Sequence, residues 1–347
     1  MDGIDSGGPD PADRAHGTGD GPVADAPAGA AAASRIVARP HLVVVAGPTA
    51  TGKTDLAIRL ALALAGEGTP AEVVSSDSRQ VYRGMDVGTA KPTLAERQGV
   101  AHHAIDVVDP DAPFSVHDFV AIAEAALASL AARGGVAILA GGTGLWIRAV
   151  ASGIALDSVP HDAAVRAEVE AELVRDGLPT VSARLRRSAP LLASRTDLRN
   201  PRRVARALEI ARVRGDGPLP PPTGYDGLLT WLALDVADRA MHRDLIERRA
   251  AGQLDGGLPE EARRLRARFG EDLPSLSGIG YREAFDLLDG RVDRAGFLER
   301  NVARNVAFAR RQRTWFRAET PTVLLDPSAG DPLPRALEVV RRASLPA

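Results

Sequence analysis

The chain has 347 residues, of which 45% are hydrophobic and 25% charged, and its formal net charge is −2; this composition excludes a disordered, a collagen-like and a disulfide-stabilised protein. The sequence contains no cysteine, so thiolate metal sites and a cysteine nucleophile are excluded as well. No apolar run reaches the roughly 18 residues of a membrane-spanning helix, and the N-terminus lacks the pattern of a secretory signal, so we expect a cytoplasmic protein.

Residues 1–39 consist mainly of Gly, Ala, Pro and Asp and contain almost no large apolar side chains. A segment of this composition cannot bury enough apolar surface to offset the entropy that it would lose on folding. We therefore predict that residues 1–39 form a disordered extension, and that the folded part of the chain begins near residue 40.

Strand and helix patterns alternate in the following segment, up to residue 153. Four short apolar runs predict strands, at residues 42–46, 73–74, 103–108 and 136–140. Three other segments have helical periodicity, at residues 54–65, 114–132 and 143–151. Strands that alternate with helices in this way are typical of a parallel sheet with helices on both faces.

The alternation breaks after residue 153. Residues 154–227 show only helical periodicity, interrupted by prolines, until a strand pattern returns at 228–234. Further helical segments and a last short strand near 322–325 follow. The sequence therefore predicts an α/β fold with a phosphate-binding loop, in which residues 40–153 and 228–347 form the core and residues 154–227 form an all-helical insertion.

The most specific local motif is the phosphate-binding loop GxxxxGK[ST], which follows the first predicted strand and begins the first predicted helix. Its residues are Gly47, Pro48, Thr49, Ala50, Thr51, Gly52, Lys53 and Thr54. The glycines allow backbone N–H groups to surround phosphate oxygens, and a helix N-terminus favours anions. Lys53, one of only two lysines in the chain, would contact the terminal phosphates. We predict a di- or triphosphate site with Mg²⁺ as cofactor and Thr54 as a metal ligand.

An acidic residue is predicted to lie near this loop. The fourth predicted strand ends in Gly141-Gly142-Thr143, without the acid that usually holds Mg²⁺ in nucleotide hydrolases. The acid follows the second predicted strand instead, at Asp77. If that strand lies beside the first one, Asp77 would stand over the phosphate-binding loop, where α/β sheets bind their ligands. Its carboxylate could then bind Mg²⁺ or accept a proton from a substrate.

Five sequence blocks resemble those of the tRNA dimethylallyltransferase family and occur in the family's order. They lie at residues 76–92 (SDSRQVYRGMDVGTAKP), 102–110 (HHAIDVVDP), 141–145 (GGTGL), 200–209 (NPRRVARALE) and 278–283 (GIGYRE). Many families share the phosphate-binding loop, whereas the pattern DSxQxYxGMDxGTAKP is much more specific. The resemblance extends from about residue 41 to about residue 317.

The resemblance implies a specific reaction, the transfer of a dimethylallyl group from dimethylallyl diphosphate to N6 of adenosine 37 in the anticodon stem-loop of tRNA. The loop would then hold a diphosphate leaving group, and Asp77 would act as general base for the adenine amine. The resemblance also implies catalytic roles for Thr49 and for a diphosphate-binding arginine. That arginine is Arg249 or its neighbour Arg248, of which the spacing favours Arg249. We expect a monomer.

The same resemblance implies a set of tRNA-contacting residues. They are Asp77, Ser78, Arg79, Gln80, Thr143, Arg166, Arg202, Arg203, Val204, Ala205, Arg206, Gly280, Tyr281 and Arg282. Charge patterning supports an RNA partner independently, because residues 184–214 contain ten arginines and only two acidic residues. Residues 298–317 contain a further six arginines and a single glutamate.

Three other functions remain open at this point. A related adenylate isopentenyltransferase would modify free AMP, a small-molecule kinase could use the same loop, and a non-enzymatic module could bind RNA in a nucleotide-dependent way. The arginine-rich insertion favours tRNA over AMP, because a nucleotide-sized acceptor needs no such surface. The segment that contains Asp77 argues against a module without catalytic activity.

Overall fold

The apolar runs form one parallel sheet in the computed structural model, which describes residues 39–154, 156 and 162–344. Six strands occur among the described residues: β1 (His41–Ala46), β2 (Ala71–Ser76), β3 (His102–His103), β4 (Val136–Gly141), β5 (Leu229–Leu234) and β6 (Val323–Leu325). Their order in the sheet is β3-β2-β4-β1-β5-β6, and every pair is parallel. The parallel α/β fold that the alternation predicts is therefore confirmed. Apart from Arg39, the predicted disordered extension lies outside the described residues.

Helices connect the strands and cover the sheet. Twelve α-helices occur among the described residues: α1 (Lys53–Gly66), α2 (Leu94–Arg97), α3 (Val116–Ala132), α4 (Gly144–Ala151), α5 (Ala163–Ser188), α6 (Pro190–Ser194), α7 (Pro201–Arg214), α8 (Arg239–Asp255), α9 (Leu258–Phe269), α10 (Tyr281–Leu288), α11 (Arg294–Phe316) and α12 (Leu333–Ser344). No helix in this described part of the chain is both long and apolar enough to cross a membrane.

The sheet does not meet the condition considered for Asp77, because β2 does not lie beside β1. β4 lies between them, and Ile138 of β4 is paired both with Val43 of β1 and with Val73 of β2. All three strands contain apolar runs, so their sequences do not determine their order in the sheet. The carboxyl ends of β1, β4 and β2 nevertheless meet at the same edge.

The third strand is shorter than predicted. Only His102–His103 pairs with β2, and the chain then leaves the sheet through Ala104 and Asp106, which both have positive φ angles (59° and 56°). A residue in this left-handed region cannot continue an extended strand. The remainder of the predicted strand returns only as an isolated bridge between Val108 and Tyr82.

Both faces of the sheet carry an apolar core. Leu42 and Val44 of β1 belong to a cluster with residues of α3 and α4, whereas Val43 and Val45 face the opposite cluster, with residues of α1 and α12. Because successive side chains of a strand point to opposite faces, a strand covered on both sides must be apolar throughout. This double coverage explains the continuous apolar run of β1 and fixes the position of the loop that follows it.

Helices α5, α6 and α7 follow one another in the chain between α4 and β5. Their apolar side chains form a cluster of their own, which includes Val169, Val181, Leu185, Val204 and Leu208. The helical character expected from the periodicity is thus present in these described segments. The domain boundaries at residues 153 and 228 stay a prediction.

Candidate active site at the carboxyl edge of the sheet

A cavity of about 500 Å³ lies at the carboxyl edge of the sheet. Its wall combines the phosphate-binding loop, the residues that follow β2 and β4, and side chains of α8 and α11. Among the lining residues are Thr49, Ala50, Gly52, Lys53, Thr54, Asp77, Gln80, Gly141, Gly142, Arg249, Phe308 and Gln312. The structure therefore brings Asp77 and Arg249 into the same cavity as the predicted phosphate-binding residues.

Close packing and backbone geometry shape the phosphate-binding loop. A Cβ atom on Gly47 would lie 2.2 Å from the carbonyl oxygen of Leu234, so only glycine fits between the ends of β1 and β5. Gly52 has a φ of 79° and directly precedes α1, a conformation that a residue without Cβ adopts at no cost. The turn thus leads directly into the N-terminus of α1, where the first backbone N–H groups lack intrahelical partners and favour an anion.

Lys53 and Arg249 place positive charge in this cavity. The Lys53 ammonium donates to the carbonyl oxygen of Pro48 at 2.5 Å. Burial, reinforced by the nearby Arg249 guanidinium, lowers the pKa of Lys53 to about 7, whereas Asp77 acts in the opposite direction. Burial also lowers the pKa of Arg249. Since both cations are destabilised by burial and Lys53 also by its cationic neighbour, a bound anion would stabilise them.

The structure distinguishes between the two arginines that the sequence left open. Arg249 lines the cavity, and its guanidinium donates to the Thr49 hydroxyl at 2.9 Å. Arg248 is exposed, and its guanidinium lies 3.4 Å from the carbonyl oxygen of Asp244 on its own helix. Neighbouring residues of a helix point in different directions, so only Arg249 is directed towards the phosphate-binding loop.

Asp77 follows β2 and is fixed by local hydrogen bonds. Its carboxylate accepts from the backbone N–H of Arg79 at 2.9 Å. The next residue, Ser78, donates its N–H to the hydroxyl of Thr143 at 3.0 Å, and the N–H of Thr143 donates to the carbonyl of Ser76. These bonds join the ends of β2 and β4 and hold Asp77 at the cavity.

Two more of the predicted tRNA-contacting residues near Asp77 have partners within the protein. The Arg79 guanidinium donates to the carbonyl oxygens of Pro274 and Ser275, at 2.9 and 2.8 Å. Gln80 is buried and accepts a hydrogen bond from the hydroxyl of Ser75 at 2.8 Å. Both side chains therefore help to fix the segment that carries Asp77.

The donor groups of the cavity fit Mg²⁺ only if a ligand supplies part of its coordination shell. Among the described residues there is no cluster of three or more His, Asp or Glu side chains that could hold a metal ion. Mg²⁺ typically keeps several waters and binds through one or two protein oxygens together with substrate phosphates. The Thr54 hydroxyl and the Asp77 carboxylate line the same cavity and are oxygen donors of this kind.

Buried side chains occur among the residues predicted to contact tRNA. Arg202, Arg203 and Arg282 are exposed, and Gly280 is buried. Val204 and Ala205 are 0% and 1% exposed, because they lie on the inward face of α7 against α5. For these two side chains a direct contact with RNA does not fit their position in the apolar cluster.

Two further arginines of the predicted RNA surface are paired with a buried acid. The Glu209 side chain is fully buried and lies 2.7 Å from the Arg206 guanidinium and 3.4 Å from that of Arg166. Arg166 also pairs with Glu170 at 2.6 Å. A carboxylate without water around it needs such partners. Arg166 therefore links α5 to α7 through Glu209, whereas Arg206 stabilises the same carboxylate from within α7.

Glu261 of α9 is a buried acid that no sequence motif indicated, and it is 1% exposed. Its carboxylate accepts hydrogen bonds from three successive backbone N–H groups, those of Asp86, Val87 and Gly88, at 3.0, 2.8 and 3.0 Å. It also accepts from the hydroxyl of Tyr281 at 2.7 Å. The available signal was a glutamate on the apolar face of an amphipathic helix, where a charge requires buried partners.

Tyr281 has a structural environment that differs from the predicted contact with tRNA. Its side chain is 1% exposed, and a Cβ atom on Gly88 would lie 2.5 Å from its ring. Gln253 supports the same turn by donating to the carbonyl oxygens of Val87 and Gly88, at 2.8 and 3.0 Å. Because Thr89 continues from this turn into the cavity wall, Tyr281 shapes the cavity from behind rather than lying at the surface.

The fold and this cavity define a class of protein: a parallel α/β protein with a phosphate-binding loop, whose ligand site also contains an acid and an arginine. Residues 80–319 match the family model described as IPP transferase. The chain is 43% identical over 311 residues to a tRNA dimethylallyltransferase of Anaeromyxobacter dehalogenans, which covers 87% of this chain and 100% of that protein. It is 42% identical over 293 residues to one of Thermus thermophilus, with 83% and 93% covered. The chain belongs to the tRNA dimethylallyltransferase family, a family of transferases.

Solved structures agree with this assignment, and the resemblance found in the sequence is confirmed. A tRNA isopentenylpyrophosphate transferase from Bacillus halodurans superimposes with a TM-score of 0.63 at 36% identity, over 88% of this chain and 95% of that one. A tRNA isopentenylpyrophosphate transferase from Staphylococcus epidermidis superimposes with a TM-score of 0.61 at 29% identity, over 88% of this chain and 99% of that one. A eukaryotic dimethylallyltransferase acting on tRNA gives 0.69 at 23% identity, over 83% and 74%, and supports the fold alone.

Proposed function

We propose that the chain transfers a dimethylallyl group from dimethylallyl diphosphate to N6 of adenosine 37 in the anticodon stem-loop of tRNA, giving N6-dimethylallyladenosine and diphosphate. The observation that carries this proposal is the shared cavity of the phosphate-binding loop, Arg249 and Asp77. One side of this cavity suits a departing diphosphate, and the other provides a base. Membership of the family supports the choice of donor and acceptor.

The diphosphate would lie against the N-terminus of α1. When the allylic C–O bond breaks, its electron pair remains on the diphosphate, so negative charge increases there. Lys53 and Arg249 hold positive charge at this place before the reaction, and fixed charges stabilise a developing anion without reorganisation. Thr49, whose hydroxyl accepts from Arg249, would keep the guanidinium aligned with the leaving group.

The adenine amine would approach from the side of Asp77. N6 is a poor nucleophile because its lone pair is delocalised into the ring. As the N6–carbon bond forms, the nitrogen becomes positively charged and must lose a proton. The Asp77 carboxylate would orient the amine and accept that proton, while the hydrogen bond from the Arg79 N–H keeps the carboxylate in place.

We also propose Mg²⁺ as the cofactor, with Thr54 as a protein ligand. When bound, the ion supplies additional positive charge to the diphosphate. Thr54 supports this role because it lies in the first turn of α1 and lines the cavity. Its hydroxyl would therefore be directed to the same phosphates that contact the loop.

Exposed arginines would bind the tRNA backbone. Within the described part of the chain, several form no ion pair with an acidic side chain: Arg202 and Arg203 on α7, and Arg310 and Arg311 on α11. Arg311 lies 5.8 Å from the ring of Phe308, which itself lines the cavity. On α11, a basic side chain thus lies next to a cavity-lining residue, where it would contact tRNA whose target base has left its stack in order to react. We propose that the protein acts as a monomer in the cytoplasm.

An assay with isotopically labelled dimethylallyl diphosphate and Mg²⁺ tests this function. The acceptors are tRNA with adenosine at position 37, the same tRNA with guanosine there, and AMP. We expect label only in the first tRNA. Label in AMP but not in tRNA would identify an adenylate prenyltransferase, and phosphoryl transfer from ATP to a small acceptor would identify a kinase.

A further inference from the structure

His242 of α8 lies behind the phosphate-binding loop and is only 2% exposed. Its Nε2 atom is 2.8 Å from the carbonyl oxygen of Thr49, and its Nδ1 atom contacts the guanidinium of Arg313. A guanidinium can only donate hydrogen bonds, and a carbonyl oxygen can only accept them. These two partners therefore require a neutral imidazole with its proton on Nε2.

Thr49 is held through all three of its polar groups. Its N–H donates to the side-chain oxygen of Gln312 at 2.8 Å, its carbonyl accepts from His242, and its hydroxyl accepts from Arg249. All three partners lie on α8 and α11. Thr49 and Arg249 both line the cavity. A displacement of the His242 ring would therefore alter the diphosphate site through Thr49.

We propose that neutral His242 is a positioning residue, which holds Thr49 and the Arg249 guanidinium in the geometry that binds diphosphate. Protonation of Nδ1 would direct an N–H group towards the N–H groups of Arg313 and place two cations in contact. The ring or the arginine would then have to move, and Thr49 would lose a fixed partner. The effect on prenyl transfer depends on the proposed function, whereas the effect on diphosphate binding does not.

Charged groups on three elements face His242. Arg313 comes from α11 and donates to the Asp235 carboxylate at 2.8 Å, and Asp235 follows β5 and also pairs with Arg239 of α8 at 3.1 Å. Burial is the largest cause that lowers the pKa of His242; Arg313 and Arg239 lower it as well, while the Thr49 carbonyl and Asp235 raise it. The net shift is downward, so the ring stays neutral at neutral pH and becomes charged only in acid.

Two variants separate neutral positioning from simple packing. His242→Gln retains one donor and one acceptor but cannot be protonated, whereas His242→Ala removes both. The affinity of each complete protein for inorganic pyrophosphate is measured calorimetrically from about pH 5.5 to pH 8. At about pH 7.5 we expect His242→Gln to bind within about threefold of the unmodified protein and His242→Ala about tenfold more weakly.

The decisive result is the acid side of this profile. Towards about pH 5.5, the unmodified protein should lose several-fold more affinity than His242→Gln, but less than about tenfold, because the lowered pKa of His242 leaves the ring only partly protonated at that pH. The titrations of pyrophosphate and Lys53 occur in both proteins, so the ratio of their affinities reports His242. An equal loss in both proteins would overturn the proposal.

His41→Gln is the matched control. His41 begins β1 at the opposite edge of the sheet and contacts the hydroxyls of Thr230 and Ser344. Burial lowers its pKa to about 4, so the control also removes a histidine with a depressed pKa. His41→Gln should lose as much pyrophosphate affinity at acid pH as the unmodified protein does. If His41→Gln does not show this loss, the effect belongs to another histidine, and the proposal is contradicted.

A second measurement does not depend on the stability of the variants. Nitrogen NMR of the unmodified protein, labelled at histidine, should show the Nε2–H tautomer for His242 at neutral pH. A proton on Nδ1 would overturn the proposal. If the protein binds pyrophosphate as expected but transfers no label to tRNA, the proposed function fails while the role of His242 in the diphosphate site stands.

Discussion

Arg249 in the cavity and the exposed arginines of α7 differ in how firmly their charges are fixed in position and how far they are shielded from water. Arg249 is directed into the cavity, where it donates to Thr49 and lies near Lys53. Arg202 and Arg203 are exposed on α7 and form no ion pair with any described acidic residue. A charge at a fixed position in a site with little water can stabilise one breaking bond, whereas an exposed charge attracts phosphates generally and is screened by salt. Substitutions in the cavity should therefore change turnover, and substitutions on α7 should change binding.

The largest effect is expected for the proposed base. Asp77→Ala should lower the single-turnover rate by about 10²-fold or more, because the adenine amine loses the group that accepts its proton. The affinity for tRNA, measured by fluorescence anisotropy, should change little. A variant that retains its rate would show that the base lies elsewhere, and a large loss of tRNA affinity would make Asp77 a binding residue.

The next effect distinguishes two adjacent positions of α8. Arg249→Ala should lower turnover by about 10²-fold, because one fixed donor to the developing charge is lost. Arg248→Ala is the matched control: it removes the same charge from the same helix, one residue away and outside the cavity. It should change turnover less than about twofold. Equal effects of the two variants would contradict the assignment of Arg249.

A smaller effect is expected on α7. The double variant Arg202→Ala/Arg203→Ala should weaken tRNA binding about tenfold and reduce the slope of log affinity against log salt by about 1.5. Arg206 is left intact, since its removal would deprive the buried Glu209 of a partner and destabilise the fold. Arg342→Ala, an exposed position on α12, serves as the control. An unchanged salt slope in the double variant would place the RNA surface elsewhere.

The smallest expected effect is the uptake of a proton by Lys53 when pyrophosphate binds. The pKa of Lys53 is lowered to about 7 in the ligand-free site, and a bound diphosphate should raise it again. Binding of pyrophosphate at about pH 8 should therefore take up close to one proton, and affinity should fall as the pH rises above about 7. Calorimetry in two buffers of different ionisation enthalpy measures this uptake. Lys53→Met supplies the contribution of pyrophosphate itself, and equal uptake by both proteins would refute the assignment.

The parts of the molecule that were predictable from sequence are determined by local patterns. β1 is an apolar run covered on both faces, and the loop after it needs Gly47 for close packing and Gly52 for a positive φ. The residues that meet these requirements are close together in the sequence, so they form a recognisable motif or apolar run. The position of Asp77 near the ligand site was also predictable, because Asp77 directly follows a strand and parallel sheets bind ligands at the carboxyl ends of their strands.

The parts that were missed depend on contacts between distant segments. Glu261 and the N–H of Val87 are 174 residues apart, and His242 and the carbonyl of Thr49 are 193 residues apart. Neither contact produces a periodicity or a motif. A motif also does not show whether a side chain is buried. Tyr281 lies within a recognised block and was therefore expected to contact tRNA, but its side chain lies in the core.

The strand between β1 and β2 acts as a spacer. Neighbouring strands lie about 4.8 Å apart, so the ends of β1 and β2 are separated by about 10 Å. Coulomb repulsion varies inversely with distance, so this separation roughly halves the repulsion that Asp77 would exert on a bound diphosphate from an adjacent strand. The end of β4 carries Gly141 and Gly142, and the Gln312 side chain lies against it, donating to the carbonyl oxygen of Gly142 at 3.1 Å. The sheet order thus keeps the Asp77 carboxylate away from the negative charge of a diphosphate that the loop would hold.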